Sequence, residues 1–217
     1  MLIQTAIEVL TPQLVALGWV ENYGGVVQRI ALPTQNNSDG IKYKNIPVAC
    51  GVSFDDCNKN QRYTALSPDN KKKSVLYWEV LQGLSDRGAD GQQRQRRVLQ
   101  GRARLVGWLN AGKLGKTQCN TAADAIRSII PILYQDFKSV SLPAIFQNSR
   151  VEFKVIGEQP KSAAIFSPYD YDKNIDGLLM YPYDYFALDV EITVFLSLCD
   201  YSFTPDTPID CVDYSQP

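Results

Sequence analysis

Over residues 186–199 apolar and polar positions alternate almost without a break. Leu188, Val190, Ile192, Val194, Leu196 and Leu198 share one parity. Asp189, Glu191, Thr193, Ser197 and Cys199 share the other, with Phe195 as the large apolar exception. A strand sends successive side chains to opposite faces, so this pattern predicts a long β-strand with one face in a core. A helix would scatter the same aliphatics around its axis. Other runs predict strands over 26–32, 46–54, 74–82 and 151–156, and a second long strand over 94–110.

Helical spacing occurs in two places. Ile3, Ile7, Leu10, Leu14 and Leu17 form one apolar stripe, interrupted at Thr11-Pro12, where a helix either restarts or kinks. Ile126, Ile129, Ile130, Leu133 and Phe137 form another, started by a Thr121/Asp124 capping box and carrying Pro131, which should kink it. Gly24-Gly25 reads as a turn, 55–73 as a long polar loop, and 83–93 as a Gly- and Asp-rich tip between two strands. With little βαβ alternation, the fold class is α+β: an antiparallel β-sheet with a long β-hairpin and two main helices packed on one face. One domain is expected over 1–199, with a projecting hairpin around 83–93 and an extended acidic tail over 200–217.

Composition narrows the chemistry. The chain has 217 residues and no histidine. Ser–His and Cys–His nucleophilic pairs and histidine-based metal sites are therefore excluded, whereas carboxylate and lysine chemistry are not. The expectation is a protein that is not an enzyme and needs no cofactor. Cys50, Cys57, Cys119, Cys199 and Cys211 are odd in number and lack CxxC spacing, which predicts free buried thiols in a reducing compartment. No apolar run reaches the roughly 20 residues of a membrane helix, and the N-terminal sequence does not read as a secretory signal.

A net charge of −1 hides a strong asymmetry. Residues 91–123 hold seven basic side chains and no acidic one: Arg94, Arg96, Arg97, Arg102, Arg104, Lys113 and Lys116. From Ser167 onward, ten acidic residues face Lys173 alone, a local net of −9, with Asp206, Asp210 and Asp213 in the tail. Such a bipolar chain suits head-to-tail self-association, the arginines of one copy meeting the acids of the next. The competing reading is two solvated faces that neutralise each other within one fold.

Three motifs point elsewhere. Gly107 to Lys113 has the opening of a phosphate-binding loop, but Leu114 stands where Ser or Thr is required. Asp172, Asn174 and Asp176, followed by Gly177, fit the first half of a calcium loop, but Tyr183 replaces the closing Glu. The arginines could also hold nucleic-acid phosphate, with Trp108 and Tyr77 nearby, although no nucleic-acid-binding motif accompanies them.

The order of elements carries a resemblance. A leading amphipathic helix is followed by the strands SVLYWEVLQ and RRVLQGRARLVGWLN, a helix beginning NTAADAIRSII, and the late strand ALDVEITVFLSLC. This order resembles the head–tail connector proteins of tailed bacteriophages, the tail-terminator, tail-completion and neck-ring group. The composition resembles that of crAss-like phages. The resemblance spans 74–199. The loop over 55–73 and the acidic tail depart from the compact members of the group. It implies a structural virion protein of the phage neck, assembled in the host bacterial cytoplasm. Its partners would be itself in a ring homo-oligomer, the portal, adjacent neck and tail proteins, and non-specifically the DNA in the channel, with no membrane. The alternatives are a cytoplasmic enzyme or small-ligand binder using the acidic loop of Asp170, Asp172 and Asp176 together with Asp184, and a host cytoplasmic adaptor.

Overall fold

The computed structural model describes residues 2–34, 42–49, 66–90, 93–116, 120–135, 149–170 and 175–197. The elements in chain order are α1 (Leu2–Glu8), α2 (Thr11–Val15), β1 (Asn22–Thr34), β2 (Lys42–Ala49), β3 (Ser74–Asp90), β4 (Gln93–Asn110), α3 (Thr121–Leu133), β5 (Arg150–Glu158) and β6 (Tyr183–Ser197). Two 3-10 turns, Ala163–Phe166 and Ile175–Leu178, lie between β5 and β6. The fold is α+β. The six strands form one sheet in the order β2-β1-β3-β4-β6-β5.

That sheet is mixed, which corrects the expectation of an antiparallel one. β1 runs parallel to β3 through Asn22↔Val75, Tyr23↔Leu76 and Val26↔Trp78. It then pairs antiparallel with β2 from Val27 outward. The Gly24-Gly25 pair does not precede the strand as a turn. It is a bulge inside β1, where the register shifts between Tyr23 and Val26 and Gly25 takes φ +57°. Only glycine adopts that conformation without strain, and it lets one strand serve two partners.

The α1 stripe forms as its spacing predicts, and Pro12 sits in the first turn of a separate α2, where its missing N–H costs nothing. Ile3, Ile7, Leu10 and Leu14 share a core cluster with Ala122, Ala125, Ile129, Ile132 and Leu133 of α3. The sheet contributes Leu105 and Leu109 from β4, Phe153 from β5, and Phe186, Leu188, Val190, Ile192, Val194 and Leu196 from β6. The even parity of β6 is thus the core parity; Leu198 and Cys199 fall outside the described residues. On α3 the expected face is rotated: Ile130 is exposed, and Ala125 and Ile132 take its place.

A second layer covers part of the opposite sheet face. Ile165, Phe166 and Tyr169 pack on Val75 and Tyr77 of β3, Val106 and Trp108 of β4, and Tyr185 and Ala187 of β6. β6 records where this layer ends. From Asp184 to Leu188 every residue is buried, and from Asp189 burial alternates.

Where glycine and aspartate predicted a turn over 83–93, strand pairing continues through Asp90 and resumes at Gln93. The irregular composition is absorbed by register shifts between Val80 and Gln82, Gln82 and Ser85, and Asp86 and Ala89, with Gly88 at φ +97°. The five cysteines, residues 50–54 of the strand expected over 46–54, residues 55–65 of the polar loop, Phe137 and the tail over 200–217 lie outside the described residues.

Candidate functional site

The end of the β3–β4 pair is set apart by its neighbours. Among the described residues, β1 pairs with β3 no further than Trp78, and β6 pairs with β4 as far as Arg96↔Ser197. Beyond Trp78, β3 pairs only with β4 among the described residues, whereas β4 keeps β6 on its other side down to Arg96. Over this stretch the β3–β4 ribbon is open along its β3 edge, and it runs past β6 only at its end, at Asp90↔Gln93. Gly83, Ser85, Asp86 and Arg87 are exposed, while Leu84 packs on the main core next to the Ile3 side of the sheet. Arg97 and Asp86 pair across the ribbon at 2.7 Å with both side chains about half exposed, and Arg87 Nε donates to Gln100 Oε1.

The arginines predicted from sequence are therefore not equivalent. Arg94 and Arg96 lie along β4 on the ribbon, and Arg97 is bound to Asp86. Arg102 is exposed on the open sheet face and stands in register with Glu191 of β6. Arg104 is half buried and bidentate with Asp189 of β6: Nε donates to Oδ1 at 2.7 Å and Nη2 to Oδ2 at 3.2 Å. Because β4 and β6 are neighbours, part of the charge separation seen along the chain is closed inside one molecule. Lys116 and Arg127 both face Asp124, at 3.2 and 3.9 Å. Asp206, Asp210 and Asp213 lie outside the described residues.

A polar row that the sequence reading missed runs beside this surface. Glu79 of β3, Arg104 of β4 and Asp189 of β6 stand opposite one another in the ladder. Gln159 Nε2 donates to Asp189 Oδ2 at 2.6 Å. At the other end, Tyr169 packs edge-on against Tyr77, two residues before Glu79 on β3. Glu79 is 9% exposed, and its Oε1 has no hydrogen-bond partner among the described residues. Burial pushes the Glu79 carboxyl above the usual carboxylate range, against the opposing pull of Tyr169 and the Arg104 charge. A signal was present in the sequence: Glu79 is the lone charge in SVLYWEVLQ.

The other motifs resolve into packing. Gly107 faces the Phe186 ring, and a Cβ there would lie 2.3 Å from it, so this glycine answers to an aromatic side chain. The α3 N-terminus, where a phosphate would have to bind, is occupied by a side chain of the same chain. Asp184 Oδ2 accepts from Ala122 N at 2.8 Å, and Oδ1 accepts from Tyr185 N and Lys161 Nζ. This replaces the expected Thr121/Asp124 capping box: Thr121 is buried as the first helical residue, and Asn120 precedes it without a side-chain bond. Of the acidic loop, Asp170 accepts from Asn45 N at 2.9 Å and Asn45 Nδ2 at 2.8 Å, and Asp176 is exposed in a 3-10 turn. Asp172 and Asn174 lie outside the described residues. Among the described residues no cluster of three or more His, Cys, Asp or Glu side chains is placed to hold a metal ion, and no helix is long and apolar enough to cross a membrane.

A scan against protein-family models finds no match to this chain, and a search of curated proteins finds none either.

Proposed function

We propose that the protein is a structural subunit of a tailed-phage neck, forming a homo-oligomeric ring between portal and tail that joins head to tail, retains DNA and docks the tail. The observation that carries this reading is the β3–β4 ribbon, whose β3 edge runs from past Trp78 to Asp90 with no second strand partner among the described residues. An open strand edge of that kind offers backbone and charge to a neighbour. In this reading it is the tip of a long antiparallel hairpin backed by helices on one sheet face.

The charge pattern supports a heterologous contact, in which one patch meets a different patch and the rotation closes a ring. Arg102 is exposed for it and Arg97 is half exposed beside its Asp86 partner, with Arg94 and Arg96 further along β4. Their partners would be Asp206, Asp210 and Asp213 of the next subunit. Arg104 contributes less, because its guanidinium is bound to Asp189 in the same chain.

The test is mass and shape at rising concentration, by light scattering on a sizing column and by negative-stain microscopy. Wild type should assemble into rings of one size. Arg102→Glu should reduce assembly, and a compensating Asp→Lys change in the tail should restore part of it. A wild-type chain that stays monomeric throughout overturns the proposal.

A further inference from the structure

Two strand edges of the sheet match each other. β3, β4, β6 and β5 alternate in direction, and their rungs run across all four strands. One rung is Gln82–Arg102–Glu191–Lys154, and another is Glu79–Arg104–Asp189–Gly157. Among the described residues β1 pairs with β3 only as far as Trp78. The Trp78 rung ends across the sheet at Glu158, the last residue of β5. The part of β3 left without a second strand is therefore the part that shares its rungs with β5. On its own side β5 has β6 as its one strand partner among the described residues.

The two edges carry the same irregularity. Val80 and Val155 lie on one rung, and both pack partly buried against the main core. The ladder slips directly after each of them, between Val80 and Gln82 and between Val155 and Gly157. The residues at the slips, Leu81 and Ile156, are 47% and 49% exposed. Proteins that keep an edge from pairing place charge or proline there, and here both positions are aliphatic.

We propose that these edges join copies of the chain: β5 of one subunit pairs antiparallel with residues 79–86 of β3 in the next, and the sheet continues across the boundary. The join rests on the self-association proposed above and supplies its contact. Because the four strands alternate, a copy added in the same orientation sets β5 antiparallel to β3 and keeps the core faces on one side. Without slippage along the strands, Lys154 faces Gln82, Glu152 faces Ser85 and Gly157 faces Glu79, so no like charges oppose one another. Val155 then meets Val80, and Leu81 and Ile156 leave water beside them. The occupant is a second copy because β5, at 9 residues, fits the gap in length, direction and rung. A two-fold pairing of β3 with β3 would leave β5 and Ile156 open.

Photocrosslinking of the full-length chain at assembling concentration tests the join. Benzoylphenylalanine replaces Leu81 in one preparation and Ile156 in another. Each is mixed with isotope-labelled wild type, so that mass spectrometry separates crosslinks between subunits from those within one. The probe at 81 should capture residues 150–158 of another subunit, and the probe at 156 should capture residues 79–90. Leu81→Lys changes an exposed position, so the melting midpoint should hold. The concentration for half assembly should rise by about tenfold or more, the equivalent of one lost apolar contact. Rings whose probes capture other regions, a probe at 81 that captures residue 81 of a second copy, or assembly indifferent to Leu81→Lys each overturn the join and leave the ring reading standing. A wild-type chain that stays monomeric overturns both.

Discussion

Asp184 shows how much one side chain can fix. It is buried in the run Tyr-Asp-Tyr-Phe and joins the start of β6 to the start of α3. Asp184→Ala would strand the Ala122 and Tyr185 N–H groups and the Lys161 ammonium. The expected cost is about 2–4 kcal/mol, read from urea unfolding at unchanged m-value. Asp184→Asn should recover part of it, since an amide oxygen still accepts from Ala122 N. Gly107 offers the opposite case, a residue defined by what it lacks. A methyl group there meets the Phe186 ring, which packs edge-on against Trp19. Gly107→Ala should lower stability by about 1–3 kcal/mol in a thermal melt. The paired change Gly107→Ala with Phe186→Leu should lose less than the two single changes summed, because the smaller side chain leaves room for the methyl.

Among the elements, β6 and the ribbon are opposites. β6 is paired on both edges, by β4 and β5, and Val194 at its core face is fully buried. Val194→Asp would place an unpaired charge among Ile192, Leu196 and the helices, a loss of several kcal/mol that chemical denaturation should report. Beyond Asp86 and Arg97 the described pairing is the β3–β4 ladder, with Arg96↔Ser197 as the last rung to β6, beside one half-exposed ion pair. Replacing residues 87–96 by a two-residue turn should leave the far-UV circular dichroism and the melting midpoint nearly unchanged. Leu84, inside the retained part, keeps its contact with the main core. An unfolded product would show that the ribbon end belongs to the core.

For the whole molecule, the consequence of charge is salt dependence. Exposed pairs such as Arg97–Asp86 are worth on the order of 0–1 kcal/mol each and are screened beyond about 8 Å at physiological ionic strength. If rim charges set the register between subunits, assembly should weaken steadily from low to high salt in sedimentation velocity. The Arg104–Asp189 pair, less exposed and bidentate, should be little affected, so monomer stability should change less than assembly. An assembly indifferent to salt would point to an apolar interface.

Local pattern by itself determined the parts of this protein whose signal repeats along a single element. The alternation of Leu188, Val190, Ile192, Val194 and Leu196 assigned the core face of β6, and the spacing of Ile3, Ile7, Leu10 and Leu14 assigned the helical face that meets the same cluster. Each is legible because the period of the backbone is imposed on neighbouring residues. Which strands became neighbours, and in what register, was left to the tertiary structure. The parallel join of β1 to β3 depends on a bulge at Gly25, which the dipeptide Gly24-Gly25 shares with any ordinary turn. The row Glu79–Arg104–Asp189 exists only because three strands align those residues, and a shift of one residue in any ladder would send its side chain to the other face. The helix start at Ala122 likewise depends on Asp184, far along the chain, where no local capping rule could find it. Charge followed the same division: the sequence showed that basic and acidic residues are segregated, and the pairing of β4 with β6 decided that Arg104 meets its acid within the same molecule.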